Sequence, residues 1–352
     1  MSKVLITGGA GFTGVNVARH YLAQGADVVV FDNLSRIGAV ENLRWLRSQA
    51  AGEMADGASE RLEVIVGDVR LPTDGLRKAV ESSDVLIHLA GQVAVTTSVE
   101  RPVEDFDVNA RGTLNMLELV RKSNGKKPVF LFASTNKVYG GMEDVETIEG
   151  EERYAYRDFP HGIPEDRPLD FHSPYGCSKG AADQYVRDYA RIYDIDSVVF
   201  RQSCIYGYRQ FGVEDQGWVA WFTIAAVLGR GITIFGDGKQ VRDVLFIDDL
   251  VSAYDQARSR IEEASGRVYN IGGGPGNTIS LLDLLGHLED RLDDGIEVSF
   301  DDWRPGDQPV YVSDIRKAED DFGWTPQVDW REGVDRLLRW VRSNRDLLER
   351  LL

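Results

Sequence analysis

Val4-Leu5-Ile6-Thr7-Gly8-Gly9-Ala10-Gly11-Phe12-Thr13-Gly14 is the stretch that decides the fold. A short apolar run ends in glycines at 8, 11 and 14, and Phe12 to Gln24 then places its apolar residues at helical spacing. Val28-Val29-Val30-Phe31 is apolar again and closes on Asp32, so strand, turn, helix and second strand fit within the first 32 residues. Glycines in this place permit a tight turn and bring main-chain amides close to a pyrophosphate, whose charge the following helix N-terminus favours. The glycine spacing alone is a weak signal. Its position between a strand and a helix, with an acidic residue ending the next strand, makes it a dinucleotide-binding fingerprint.

The same rhythm continues outward. Val64-Ile65-Val66 precedes Gly67-Asp68, Val85-Leu86-Ile87 precedes His88, and Val129-Phe130-Leu131-Phe132 precedes Ser134. Runs this apolar suit strands buried on both faces of a parallel sheet. Segments of helical character lie between them, notably Asn109 to Lys122. The alternation predicts an α/β fold, a Rossmann-type doubly wound parallel sheet. Residues 1–200 are expected to form this dinucleotide domain, with Ser197 to Arg201 as a further strand, rejoined by 240–275 through Asp243 to Arg258 and Val268 to Ile271. Residues 201–239 and 276–352 are expected to form a smaller C-terminal α/β lobe for the substrate. Ala50 to Ser59 reads as an exposed loop and Gly140 to Arg167 as a charged, irregular one. No repeat of solenoid length is evident.

Charge restricts the partners. With 57 acidic against 40 basic residues, the formal net charge of -17 argues against a nucleic-acid binder that works through a broad basic surface. A small polyanion such as a diphosphate needs only a few arginines in one place. Cys177 and Cys204 are too few for a disulfide framework. Trp218 to Leu228, the longest strongly apolar stretch, falls short of the roughly 20 residues of a membrane helix. Met1-Ser2-Lys3 leads straight into an apolar run and glycines, without the hydrophobic region of a signal peptide. A cytoplasmic protein with no membrane or nucleic-acid partner and no metal is expected.

Asp32 at a strand end can accept hydrogen bonds from two ribose hydroxyls and would repel an added 2′-phosphate, which favours NAD over NADP; Arg36, a nearby guanidinium, works against that preference. Asp68, just past a strand and before Val69, is placed to meet the adenine. Tyr175-Gly176-Cys177-Ser178-Lys179 sets a phenol and an ammonium four residues apart, on one face of a helix. A phenol titrates near 10 in water, so acid/base work near neutrality needs a neighbouring cation. Lys179 can supply it, and Thr135, just past a buried strand, can hold the same substrate oxygen.

Taken with Leu89-Ala90-Gly91, Asn109, Gly112-Thr113, Ser134 to Gly140, Arg201, Tyr206-Gly207, Arg242-Asp243-Val244 and Arg304-Pro305-Gly306-Asp307, these motifs resemble the extended short-chain dehydrogenase/reductase family, the NAD-dependent epimerases and dehydratases. The resemblance covers nearly the whole chain. It implies tightly bound NAD, a nucleotide-diphosphate sugar as substrate, and a homodimer or homotetramer paired through helices of the first domain. Thr135, Tyr175 and Lys179 fill its catalytic places. Gly8, Gly11, Phe12, Thr13, Gly14, Asp32, Asn33, Ser35, Arg36, Asp68, Val69, Leu89, Ala90, Gly91, Gln92, Asn109 and Ser134 fill cofactor places, together with Tyr175 and Lys179. Thr135, Asn136, Arg209, Gln210, Gln216, Trp218, Val219, Arg242, Arg304 and Asp307 fall on substrate places, with Arg242 and Arg304 gripping the diphosphate.

Within that family, dehydratases of nucleotide sugars carry acidic residues directly after the Thr place, where this chain has Asn136 and Lys137. The resemblance therefore points to an epimerase, which oxidises a ring alcohol, lets the ketone turn over and returns the hydride to its other face. The strings Asp32 to Arg36, Ala90 to Ala94, Asp170 to Tyr185, Asp215 to Val219 and Gly238 to Val244 fall on the epimerase side. Many relatives, UDP-hexose 4-epimerases among them, have an asparagine where Cys204 stands, which weighs against 4-epimerisation and for a differently seated sugar. A UDP-hexose or UDP-uronate 4-epimerase stays open as the alternative enzyme, as does a sensor of NAD without chemistry.

Overall fold

The computed structural model describes residues 2–52, 54, 57–293, 295–303 and 308–352. Its contacts group into two units, one made of Met1–Thr135, Ser173–Arg201 and Val251–Tyr269, the other of Asn136–His172, Gln202–Leu250 and Asn270–Leu352. Residues 136–172 thus group with the second unit, and of 240–275 only 251–269 group with the first.

The first unit is built on seven strands: β1 (Lys3–Thr7), β2 (Asp27–Asp32), β3 (Leu62–Val66), β4 (Val85–His88), β5 (Val129–Thr135), β6 (Ser197–Gln202) and β7 (Arg267–Ile271). They form one parallel sheet in the order β7-β6-β5-β4-β1-β2-β3. Leu5 of β1 pairs with Val29 of β2 on one side and Leu86 of β4 on the other. The apolar runs are buried as two-sided strands must be, with Val4, Leu5 and Ile6 fully enclosed. Leu76, Val80, Met116, Leu117, Val120, Ala182 and Val186 pack from helices against Leu5, Leu86 and Phe130. Only the edge strand β3 departs from this pattern, and its Val66 is exposed.

The order reverses at β1, where the chain passes outward to β2 and β3 but later returns to β4 on the opposite side. Loops leaving the carboxyl ends of β1 and β4 therefore diverge, and such a switch point is where doubly wound sheets bind ligands. The helix over Asn109–Lys122 begins differently from expectation: Asp107–Arg111 forms a wider π turn before the regular helix Gly112–Arg121.

In the second unit, strand Val241–Phe246 pairs with Cys204–Tyr206 and Val310–Tyr311 in parallel and with Thr278–Ser280 antiparallel. Ile232–Phe235 pairs with Val298–Asp301. The apolar stretch Trp218–Leu228 is a short helix held between Gly217 and Gly229, both left-handed. Among the described residues no helix is long and apolar enough to cross a membrane.

Two loop expectations need correction. Helix Ala39–Gly52 runs into the stretch read as the loop 50–59, and Ala58 is buried; the alanines there continue a helix because Ala is its strongest former. Residues 140–167 are not wholly irregular. Thr147–Glu149 and Tyr154–Tyr156 form an antiparallel hairpin, while Val138, Tyr139, Met142, Val145, Ile163 and Tyr311 make a small core. Strands of three residues are too short for their alternation to stand out from charged surroundings.

Candidate active site

The glycine turn leaves the end of β1 with Gly8 at φ +69, and a Cβ on Gly8 would lie 2.7 Å from the amide nitrogen of Ala90, beyond β4. A Cβ on Gly14 would stand 2.2 Å from Gly8 O, so helix Phe12–Ala23 starts directly against the turn. Gly11 is its N-cap and brings no side chain to cover the first amides. Phe12 and Thr13 open this first turn, where orphan N–H groups favour an anion.

The Asp32 carboxylate closes the other side. It accepts from Ala10 N at 3.0 Å and Leu34 N at 2.7 Å, and burial raises its pKa. A carboxylate has about four acceptor positions, so capacity remains for a ribose diol. The turn and this carboxylate fit NAD: close main-chain approach for the pyrophosphate, an acceptor for the hydroxyls. Asn33 donates to Asp68 at 3.1 Å, and Ser35 Oγ donates to Asn33 at 2.7 Å. Arg36 is exposed. Asp68 is gripped by Arg70 through Nε at 3.0 Å and Nη2 at 2.8 Å, which holds its carboxyl down at about 2. Its side chain is thus committed to Arg70 and Asn33, and Val69 beside it is buried.

Tyr175 and Lys179 stand one turn apart in the long helix Ser173–Tyr193, and both are buried. The Tyr175 phenol is hydrogen-bonded to Thr135. Burial pushes that phenol up to about 12, Asp105 pushes the same way, and Thr135 and Arg36 oppose them. Lys179 Nζ donates to Ala133 O at 2.5 Å, and burial pulls its pKa down to about 8. Ser134 donates to Asp183 at 2.8 Å, whose carboxylate also takes Arg201 Nε at 3.0 Å.

Leu89, Ala90, Gly91 and Gln92 form the loop after β4. Asn109 fastens it: its Oδ1 accepts from Gln92 N at 2.9 Å and its Nδ2 donates to Gln92 O at 3.1 Å. His88 is wholly enclosed just before this loop. Thr113 Oγ1 donates to Asn109 O at 2.6 Å, so its other contact, with His88 Nε2 at 3.0 Å, makes Nε2 the protonated nitrogen. His88 Nδ1 then accepts from Thr7 Oγ1 at 2.6 Å.

Among the substrate candidates, Arg242 lies two residues before Val244, which pairs with Cys204. Arg242 and Lys137 both bear electrostatically on the Cys204 thiol, which burial pushes up. Gln210 Nε2 reaches Ile205 O at 3.4 Å, while its Oε1 is buried without a partner among the described residues. Trp218 opens its helix against Phe222, and Gln216 exchanges main-chain hydrogen bonds with Val213. Asn136 is largely buried. Val219 is 2% exposed, a core side chain, and Arg209 is buried with its guanidinium 5.6 Å from the Phe211 ring centroid. Arg304 and Asp307 lie outside the described residues. Among the described residues no group of three or more His, Cys, Asp or Glu could hold a metal ion.

Four residues near the Tyr175–Lys179 pair were given no role by the motifs: His88, Asp105, Ser178 and Asp183. Ser178, beside Lys179, and Asp183, four residues after it on the same helix, carried a local signal. His88 and Asp105 are joined to the site by contacts between segments 81 and 73 residues apart.

A parallel doubly wound sheet with a glycine turn at its switch point and a buried Tyr/Lys pair defines a dinucleotide-dependent oxidoreductase scaffold, and the comparisons agree. Residues 4–272 match the model of the NAD dependent epimerase/dehydratase family. The chain belongs to that family. It is 46% identical to the CDP-paratose 2-epimerase of Salmonella typhi over 97% of this chain and 99% of that protein. With a putative UDP-glucose 4-epimerase of Methanocaldococcus jannaschii it shares 31% identity, again over 97% and 99%. A crystal structure of UDP-glucuronic acid 4-epimerase from Bacillus cereus, in complex with UDP-glucuronic acid and NAD, superposes with a TM-score of 0.80 at 27% identity, covering 97% of this chain and 99% of that one.

Proposed function

We propose that this chain is an NAD-dependent nucleotide-sugar epimerase that interconverts CDP-paratose and CDP-tyvelose by inverting carbon 2. The observation that carries the reading is the 46% identity over nearly full length to a CDP-paratose 2-epimerase, against 31% for a 4-epimerase relative. NAD supplies a hydride acceptor and, in its oxidised form, positive charge. Tyr175, as phenolate, takes the proton from the carbon 2 hydroxyl and, as phenol, gives it back after inversion. Thr135 holds the same oxygen, and the Lys179 ammonium lowers the cost of phenolate. Because burial leaves the phenol near 12 without ligand, Tyr175 is protonated at rest and depends on added positive charge to act as base.

The first unit holds NAD, and the second holds the nucleotide diphosphate through Arg242 together with Arg304, a role suited to charge-assisted hydrogen bonds. The chain works as a homodimer or homotetramer in the cytoplasm. Exposed Val99, Val103 and Phe106 support the association, and the free thiols Cys177 and Cys204 suit a reducing compartment.

The test is incubation with CDP-paratose carrying deuterium at carbon 2, alongside UDP-glucose and UDP-glucuronate. CDP-tyvelose that keeps the label is expected. Turnover of a UDP-sugar in preference to the CDP-sugar would overturn the substrate, and loss of label to solvent would overturn direct hydride return.

A further inference from the structure

Asp105 sits in the short helix Pro102–Phe106, and none of the sequence motifs includes it. It is 1% exposed, and both of its side-chain donors are neutral: Ser178 Oγ at 2.5 Å and Asn109 Nδ2 at 3.1 Å. Its neighbours Glu104 and Asp107 pair with Arg101 and Arg111, whereas Asp105 enters none of the ion pairs among the described residues. A buried carboxylate with neutral partners is expensive and calls for a compensating charge nearby.

The compensating charge is one residue further along the helix. Ser178 immediately precedes Lys179, and Asn109 lies beside the loop glycine that the ammonium also borders. A Cβ on Gly91 would lie 3.0 Å from Asn109 Oδ1 and 4.0 Å from Lys179 Nζ, so the amide and the ammonium flank the same loop glycine. Lys179 faces two carboxylates, Asp183 and Asp105. Asp183 is already paired with Arg201 at 3.0 Å and 3.1 Å, which leaves Asp105 as the carboxylate without a cation of its own. The remaining groups around the pair are the neutral His88 ring, which feels Lys179, and Arg36, which faces Tyr175 and Asp32.

We propose that Asp105 is a positioning residue for the Tyr175–Lys179 pair: through Ser178 and Asn109 it fixes the helix turn and the loop beside the ammonium, and its negative charge keeps the buried lysine protonated. The proposal rests on Tyr175 and Lys179 being the acid/base pair. Its sign is definite. Without the Asp105 charge, Lys179 releases its proton at lower pH and so does Tyr175, because a nearby negative charge opposes both losses.

The test uses Asp105→Asn, which keeps the shape, in the NAD-loaded protein. Tyrosines labelled at Cζ with carbon-13 are titrated by NMR without sugar nucleotide, with Tyr175 assigned through Tyr175→Phe. Tyr175 is expected to titrate about one pH unit lower than in the wild type, and the alkaline limb of kcat to move down by about the same amount with KM within about twofold. Ser178→Ala, which keeps the charge and cuts the anchor, is expected to lower kcat about tenfold with both limbs in place. An unmoved Tyr175 titration in Asp105→Asn overturns the proposal whatever the substrate. If Asp105→Asn does not fold, wild-type kcat in Ser178→Ala overturns it. A wild type that epimerises no nucleotide sugar removes the functional reading instead, and the titration still decides the role of Asp105.

Discussion

Lys179 Nζ lies 4.3 Å from the centroid of the Phe132 ring while donating to the carbonyl of Ala133, the residue that follows it. The ammonium is thus held by a ring face and a main-chain oxygen, both from β5, and Lys179 is buried. Burial is the largest influence on it, drawing its pKa from the ordinary lysine range to about 8. Because the folded value lies below the unfolded one, protonated Lys179 weakens the fold at neutral pH, and its full contribution returns only above the unfolded pKa. Lys179→Met removes that cost but strands the buried Asp105 carboxylate, so it is expected to lose epimerase activity without a gain in stability, whereas Lys179→Met with Asp105→Asn is expected to gain of order 1 to 3 kcal/mol in urea unfolding at pH 7. A double variant less stable than the wild type would contradict this account.

The phenol of Tyr175 is buried and bonded to Thr135, so its removal changes little besides proton transfer. Tyr175→Phe is expected to lower kcat by roughly 10² to 10⁴ with retained NAD, the range of general acid–base contributions. Following the anomeric protons of the two sugars by NMR gives the rate, and the mass of cofactor released on denaturation gives NAD content. Turnover near wild type would remove Tyr175 from the chemistry.

Asp183 and Arg201 form an ion pair enclosed on all sides, with Arg201 1% exposed and Asp183 fully buried. Truncating one partner leaves the other charge stranded. Arg201→Ala is expected to lose about 3 to 5 kcal/mol in chemical unfolding, whereas the double replacement Asp183→Leu with Arg201→Met loses much less. Equal losses in the two would show that packing, rather than the stranded carboxylate, sets the cost.

His88 predicts an acid sensitivity. Burial first, and Lys179 second, push its pKa down to about 3. The unfolded chain binds the proton near pH 6.5 and the folded chain does not, so the contribution of His88 is whole above 6.5 and is lost as pH falls toward 3, with a slope of at most about 1.4 kcal/mol per unit. Unfolding midpoints measured from pH 7 to pH 4 are expected to fall more steeply in the wild type than in His88→Asn. Parallel curves would rule out His88 as a source of acid lability.

Much of the fold is legible before any coordinate. Val4-Leu5-Ile6 falls within β1, Val28 to Asp32 within β2 and Val129 to Phe132 within β5, since a strand buried on both faces must be apolar at every position. Tyr175 and Lys179 meet on one helix face because their spacing is a property of the helix itself. Where local signals were short or mixed, the reading missed: the hairpin of Thr147–Glu149 and Tyr154–Tyr156, and the continuation of helix Ala39–Gly52 past Ala50.

What the sequence by itself determined is whatever one segment decides alone: the glycine turn between a strand and a helix, the acidic end of β2, and the phenol and ammonium one turn apart. Tertiary structure alone decided the company they keep. Asp105 meets Ser178 across 73 residues, Ser134 meets Asp183 across 49, and Thr7 meets His88 across 81. Such meetings depend on strand order and register, and residue periodicity records which face of a segment is buried without recording which distant segment will bury it.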